Sequence, residues 1–398
     1  MKTAIQARRA AAQTNSRMPT VSDDSVGGVS RRSLRSAFIW PEAAWIPILA
    51  FTAVLSARPG TRLVSAYAIE WYAVGIMIVA AVGRQHRWAA ITAAVLGAIG
   101  GGYEVLAHLS NIVSTGDPGW TYVAGGIVVV ALSGSQLTSL ATPRLAFDPV
   151  VLTALQLGIG LVARWVYFAV SGLGLDPNSY VPNDWASPLR AELPLVALAL
   201  AAVGFGISRR WRPAFRRLGV VRPKWWHPFL AAMAALFLLG LVPFANHLTY
   251  VLMPNTYFAI AAVGQRTAGP GGIGVALVYG TLAGIGEETM FRGALQLRAG
   301  VIVAAIAFAM SHIQYGVSPI LGLVLLSALT FGVLRNVANT TVAMMAHAGY
   351  NLLLFAGLSF QLVLILLALV ALFVVIPLVR QLTHHDAARE SAPNLRPG

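Results

Sequence analysis

Six polar or charged side chains, Glu287, Glu288, Arg292, His312, His347 and Asn351, stand in a part of the chain that is otherwise apolar. The first three lie in AGIGEETMFRGAL, inside an apolar run from Gly271 to Leu297. On an α-helix Glu288 and Arg292 are four apart and share a face, whereas Glu287 is turned about 100° from Glu288. Arg292 can therefore neutralise Glu288 while Glu287 points elsewhere. An ionised group at the centre of a bilayer costs about 2.5–3.5 kcal/mol on insertion scales, so all three need partners or water. A purely structural ion pair accounts for Glu288 well and for Glu287 poorly.

The next apolar run carries FAMSH, in which Phe308 and His312 are four apart, and a later one carries HAGYN, with His347 and Asn351 at the same spacing. Alone, each pattern reads as packing or as a polar cross-link between helices. Together, a carboxylate, two imidazoles and a carboxamide are the parts needed to polarise a water and stabilise an oxyanion in acyl hydrolysis.

The elements that must position them are membrane helices. Of 398 residues, 57% are hydrophobic and 11% charged, and the mean hydropathy is +0.71, too apolar for a soluble globule. Apolar segments at 38–56, 66–83, 88–108, 120–140, 149–173, 191–208, 227–246, 271–297, 299–315, 317–334, 340–357 and 359–379 come near the roughly 20 residues a spanning helix needs. These predict an all-α polytopic bundle of about twelve transmembrane helices, since lipid demands internally satisfied backbone and the runs lack the alternation of barrel strands. Basic residues favour both termini in the cytoplasm. With the amino terminus inside, Arg84, Arg87, Arg144, the cluster from Arg209 to Lys224, Arg298, Arg335 and the tail all fall on that side, leaving Arg58, Arg62, Arg190 and Arg266 outside.

The formal charge of +14 is thus explained by topology, and no nucleic-acid partner is expected. Cysteine is absent, which removes disulfides and thiolate metal sites. Residues 1–36 read as a disordered basic arm attracted to anionic lipid, without a removable signal segment. The basic stretch RRWRPAFRRLGVVRPKWW, Arg209 to Trp226, reads as an interfacial anchor and as a boundary between two halves. Glu70, Glu104 and Arg164 read as buried or interfacial ion pairs, with pairing among the three open. The glycines of GAIGGGYE, Gly97 to Glu104, read as close helix packing. No internal repeat of the transporter type is visible.

In the order EExxxR, FxxxH and Hxxx(N/D/B), the three motifs resemble those of the CPBP family: CAAX prenyl endopeptidases and bacteriocin-processing or bacteriocin-immunity (Abi) proteins. The resemblance covers roughly Arg222 to Ile365. It divides the chain into an arm (1–36), an amino-terminal transmembrane region of unassigned role (37–220), an intramembrane protease core (221–380) and a polar tail (381–398). It implies an endopeptidase acting on a membrane-associated peptide or protein, prenylated substrates being those of one branch. The site would open toward the cytoplasm, in the cell membrane of a bacterium. By matched position Glu287 is the general base, His312 holds the water, His347 and Asn351 stabilise the oxyanion, and Glu288, Arg292 and Phe308 support them. Members are commonly labelled metalloproteases, so a zinc held by Glu287, His312 and His347 stands beside a metal-free reaction at the same residues; HExxH is missing, and the metal-free route is favoured. The rival classes are a non-catalytic scaffold or immunity protein and a proton-coupled transporter.

Overall fold

The computed structural model describes residues 64–115, 119–141, 148–179, 187–268, 272–355 and 361–371. The amino-terminal arm, the first apolar span at 38–56, Arg58, Arg62 and the polar tail lie outside the described residues. Within them the structure is helical, with a single isolated β-bridge between Phe205 and Arg209. In chain order the helices are α1 (Val64–Gly83), α2 (Arg87–Thr115), α3 (Trp120–Ala141), α4 (Pro149–Ser171), α5 (Ser187–Ala202), α6 (Trp211–Arg217), α7 (His227–Leu252) and α8 (Pro254–Ala268). They continue with α9 (Gly272–Glu288), a π-helical segment (Thr289–Leu295), α10 (Gln296–Ser311), α11 (Pro319–Val337) and α12 (Thr340–Phe355). The last is the short apolar α13 (Gln361–Ala371).

Six helical stretches among the described residues are long and apolar enough to cross a membrane, beginning at Arg87, Trp120, Pro149, His227, Leu277 and Pro319. The fifth, Leu277–Ser311, is two legs. Gly300 has φ 81° and ψ 173°, outside helical geometry, in a region that glycine alone enters freely. The rings of Phe291 and Phe308 lie 5.2 Å apart, whereas 17 residues of straight helix would separate them by about 25 Å. The chain therefore doubles back at Gly300, near the junction between the expected spans 271–297 and 299–315.

Local chemistry sets several ends. Asp148 caps α4 by accepting from the Val150 amide, and Ser318 caps α11 by accepting from Leu321. Each is followed by proline at the first helical position, where the missing N–H is no loss. The expected span 191–208 is shorter as a helix. After Ala202 the chain enters a tight turn in which Gly204 and Gly206 take φ of 78° and 73° and the amide of Arg209 returns to the Gly204 carbonyl.

Lipid is as apolar as leucine, so helix association depends on close packing and polar ties. Small residues supply the first. Ala80, Ala81, Ala93, Ala197, Ala199 and Ala201 are buried in a core shared by α1, α2 and α5, which also takes in Leu218 and reaches Ala294 of the π segment. At the α2–α3 crossing a Cβ on Gly101 would stand 2.7 Å from the Gly126 carbonyl oxygen, the close approach expected of the GAIGGGYE glycines. A second core joins α7, α11 and α12 through Leu238, Phe331 and Val342. A third gathers Phe291, Phe308, Ala305 and Ala328. The π segment belongs to both the first core, through Ala294, and the third, through Phe291.

Of the three charges singled out in the amino-terminal helices, two face each other and the third has another partner. Glu104 Oε2 meets His108 Nε2 at 3.3 Å, one turn along α2, while Glu70 faces Arg164 electrostatically.

Candidate active site

α9 presents glycines on two faces, and both are filled by other helices. A Cβ on Gly284 would stand 2.8 Å from the Ala348 amide nitrogen, and one on Gly280 would stand 3.1 Å from Asn351 Cβ. This small-xxx-small pair lets α12 lie directly on α9, and that approach delivers His347. On the other face a Cβ on Gly286 would come within 2.8 Å of Glu192 Cβ, so α5 presses on the turn that bears Glu287.

Beyond Glu288 the helix widens into the π segment. Sequence periodicity pointed to a plain α-helix here; the observed segment buries Phe291, Arg292, Gly293 and Ala294 in succession, more than one α-helical face can hide. Single π turns of this kind recur at functional sites. The i,i+4 relation survives the change: Arg292 Nε lies 3.0 Å from Glu288 Oε2, with both side chains wholly buried. None of the three guanidinium nitrogens meets a hydrogen-bond acceptor in bonding geometry, so the pair is held by charge. The group sits over Phe308 at 4.7 Å and near Phe331 at 6.0 Å, an arrangement in which the ring faces attract the cation.

Glu288 does a second thing that the sequence did not suggest. Its Oε1 is 3.0 Å from His347 Nδ1, and the imidazole is stacked on Phe331 with centroids 4.9 Å apart. The ring is therefore fixed, with Nε2 turned to Glu287 Oε2 at 3.9 Å. His312 is held in a parallel manner. Its Nδ1 is 2.9 Å from the Phe308 carbonyl oxygen, its ring packs on Tyr315 at 6.0 Å, and its Nε2 faces the same Glu287 oxygen at 4.0 Å. At His312 the Nδ1–H donates to the carbonyl, which leaves a lone pair at Nε2; at His347 the Nδ1–H donates to the Glu288 carboxylate, whose charge can balance a proton at Nε2. Glu287 Oε2 is buried and has no hydrogen-bond partner.

Three atoms thus converge on one gap. A water about 2.8 Å from each of two atoms 4.0 Å apart subtends about 90°, comfortable hydrogen-bond geometry. A zinc about 2.05 Å from the same atoms would subtend about 145–155°, far from tetrahedral. No trio of His, Asp and Glu among the described residues is spaced to hold a metal ion, so the residues as placed do not fit the zinc reading. Asn351 lies one turn beyond His347 on α12, against Gly280, and the hydrogen bonds and ion pairs of the cluster do not extend to it.

Residues 269–353 match the family model described as Type II CAAX prenyl endopeptidase Rce1-like. The site lies in an Rce1-like domain. All six side chains fall within that segment, which is consistent with the CPBP/CAAX protease family. No curated protein and no solved structure matches the chain.

Glu192 was missed by the sequence reading. It is 5% exposed, its Oε2 has no partner, and it faces the charges of Glu287 and Glu70. It reaches the Rce1-like domain from α5, well outside the matched segment. The available signal was weak: a single acid at the start of an apolar run, in AELPLV. Arg335, whose Nε donates to the Arg292 carbonyl at 3.3 Å, was read only as a loop charge.

Proposed function

We propose that the protein is an intramembrane endopeptidase in which Glu287 activates water without a metal. The observation that carries this reading is the pair of anchored Nε2 atoms, 3.9 and 4.0 Å from one unbonded Glu287 oxygen. Glu287 accepts a proton from the water as its oxygen forms a bond to the scissile carbonyl carbon, with His312 Nε2 holding the second hydrogen. The carbonyl π electrons move onto oxygen, and the oxyanion faces His347 and the Asn351 carboxamide. Glu288 gives a proton carried at His347 Nε2 a counter-charge through Nδ1. The proton on Glu287 then passes to the amide nitrogen as the C–N bond breaks and the oxyanion collapses to a carboxylic acid. Glu288 and Arg292, wholly buried, act on the reaction only through the groups they hold.

The substrate is a membrane-associated peptide or protein, with lipidated carboxy-terminal peptides the first class to try, since the matched family is that of CAAX prenyl endopeptidases. Apolar segment lengths support a bundle of about twelve spans and the charge distribution supports both termini on the cytoplasmic side; an opening of the site to that side, in the cell membrane, is what the family resemblance implies. The test is a comparison of protein termini in membranes containing the wild type or Glu287→Gln at equal levels. A peptide terminus produced by the wild type alone is the expected result. Identical termini, with a phenotype that survives the substitution, would leave a binding or scaffold role in its place.

A further inference from the structure

The chemistry above makes no use of the basic residues that the fold gathers at one end of the bundle. They come from five separate places: Arg84 in the α1–α2 turn, Arg209 in the turn after α5, Arg217 at the end of α6, Arg298 just before the Gly300 reversal, and Arg335 in the last turn of α11. Two are pinned to neighbouring carbonyls at the end of α5. Arg298 Nη2 donates to Ala202 at 3.2 Å and Arg209 Nη1 to Val203 at 2.6 Å, where the helix terminus is negative. Arg84 grips Asp148 with both arms of its fork, at 2.9 and 2.5 Å. Arg298 lies in the field of Arg84, Arg209, Arg217 and Asp148, and Arg335 in that of Arg217.

Five guanidiniums against one carboxylate leave a local excess of four positive charges. The repulsion is relieved when an anion shares the forks. The height of the cluster identifies that anion. Trp88, four residues after Arg84, Trp211, two after Arg209, and Trp225, eight after Arg217, stand 64%, 59% and 75% exposed, and Arg212 lies 5.9 Å from the ring of Trp211. Exposed tryptophans mark the headgroup level of a bilayer, where phosphate is the abundant anion.

We infer that Arg84, Arg209, Arg217 and Arg298 form a binding site for the phosphodiester headgroup of an anionic lipid. The site straddles the amino-terminal helices and the chain that runs from Glu287 through the π segment to Arg298. A phosphate seated there bridges α1–α2, the end of α5 and the start of α10, and so fastens the amino-terminal region to the Rce1-like domain. Positive charge at an interface attracts anionic lipid diffusely; what distinguishes this site is that two of its guanidiniums are anchored in advance.

The experiment uses the purified full chain in neutral detergent, titrated with phosphatidylglycerol, phosphatidylcholine or inorganic phosphate, with bound lipid counted by native mass spectrometry. The wild type is expected to retain one phosphatidylglycerol, bound at least tenfold more tightly than phosphatidylcholine. Arg209→Gln with Arg298→Gln should weaken it about thirtyfold, the loss expected for two phosphate-facing guanidiniums. Arg210→Gln with Arg222→Gln removes the same charge from exposed positions outside the cluster and should change it less than threefold. If the first pair fails to fold, Arg209→Lys with Arg298→Lys keeps the charge and removes the forks, and should still lose several-fold. Equal losses for the two glutamine pairs, equal binding of the two lipids, wild-type affinity in the lysine pair, or displacement of the lipid by millimolar inorganic phosphate would each overturn the assignment. None of these readouts depends on peptide cleavage.

Discussion

Glu287 and Glu288 are neighbours in sequence and opposites in role, and exchanging each for glutamine separates the two. Glu288 is wholly buried, 3.0 Å from Arg292 Nε on one side and 3.0 Å from His347 Nδ1 on the other. Removing one partner of a buried pair typically costs about 3–5 kcal/mol, because the remaining charge is left uncompensated. Phe308 beneath the guanidinium, at 4.7 Å, is there before and after the substitution and offsets none of it, so a loss of about 3–5 kcal/mol is expected for Glu288→Gln. Glu287 Oε2 has no bond to lose, so Glu287→Gln should leave stability within about 0.5 kcal/mol while lowering cleavage by about 10²–10⁴, the usual contribution of a general base. Reversible unfolding in mixed micelles measures the first quantity. Release of a fluorescent fragment from a membrane-bound peptide, at equal amounts of folded protein, measures the second. A stable, inactive Glu288→Gln beside a destabilised Glu287→Gln would refute the division of labour.

Three further outcomes follow from single contacts. Gly286→Ala drives a methyl into the Glu192 carboxylate and to 2.8 Å from Glu192 Cβ and should cost about 1–3 kcal/mol as overpacking; Glu192→Ala in the same chain removes the carboxylate but keeps the Cβ, so it should recover part of the cost in a double-mutant cycle, and simple additivity would rule out the contact. Gly300→Ala forces a side chain onto φ 81° and should destabilise by about 1–2 kcal/mol, read from the same unfolding curves. Burial raises the Asp148 carboxyl, but the Arg84 fork outweighs this and holds it below its ordinary 3.8. Its contribution is therefore complete above that value and disappears as pH falls through the lower folded one. Wild type should exceed Asp148→Asn in stability by a constant margin near neutrality that vanishes in acid; a margin that grew in acid would contradict the sign.

The ends of the helices were not read from the sequence: α5 stops at Ala202 where the expected span ran to 208, and the caps Asp148-Pro149 and Ser318-Pro319 emerged only with the structure. The apolar helices themselves were legible because run length is a local property. The Glu288–Arg292 pair was legible for the same reason, since four residues along a helix bring side chains together whatever surrounds them. The π segment was not legible, because its i→i+5 bonding is favoured by burial on several sides at once, a property of its neighbours.

By itself, then, the sequence determined that this chain is a bundle of apolar helices and that three motifs carry an acid, two imidazoles and an amide at one-turn spacings. Only the tertiary structure decided that both Nε2 atoms face one Glu287 oxygen, that Glu288 orients His347 as well as neutralising Arg292, and that Glu192 arrives from α5. The physical reason is range. Spacing along a helix is set by covalent geometry, whereas the direction of a ring across a helix interface is set by glycines on one element and the side chains that fill their space from another.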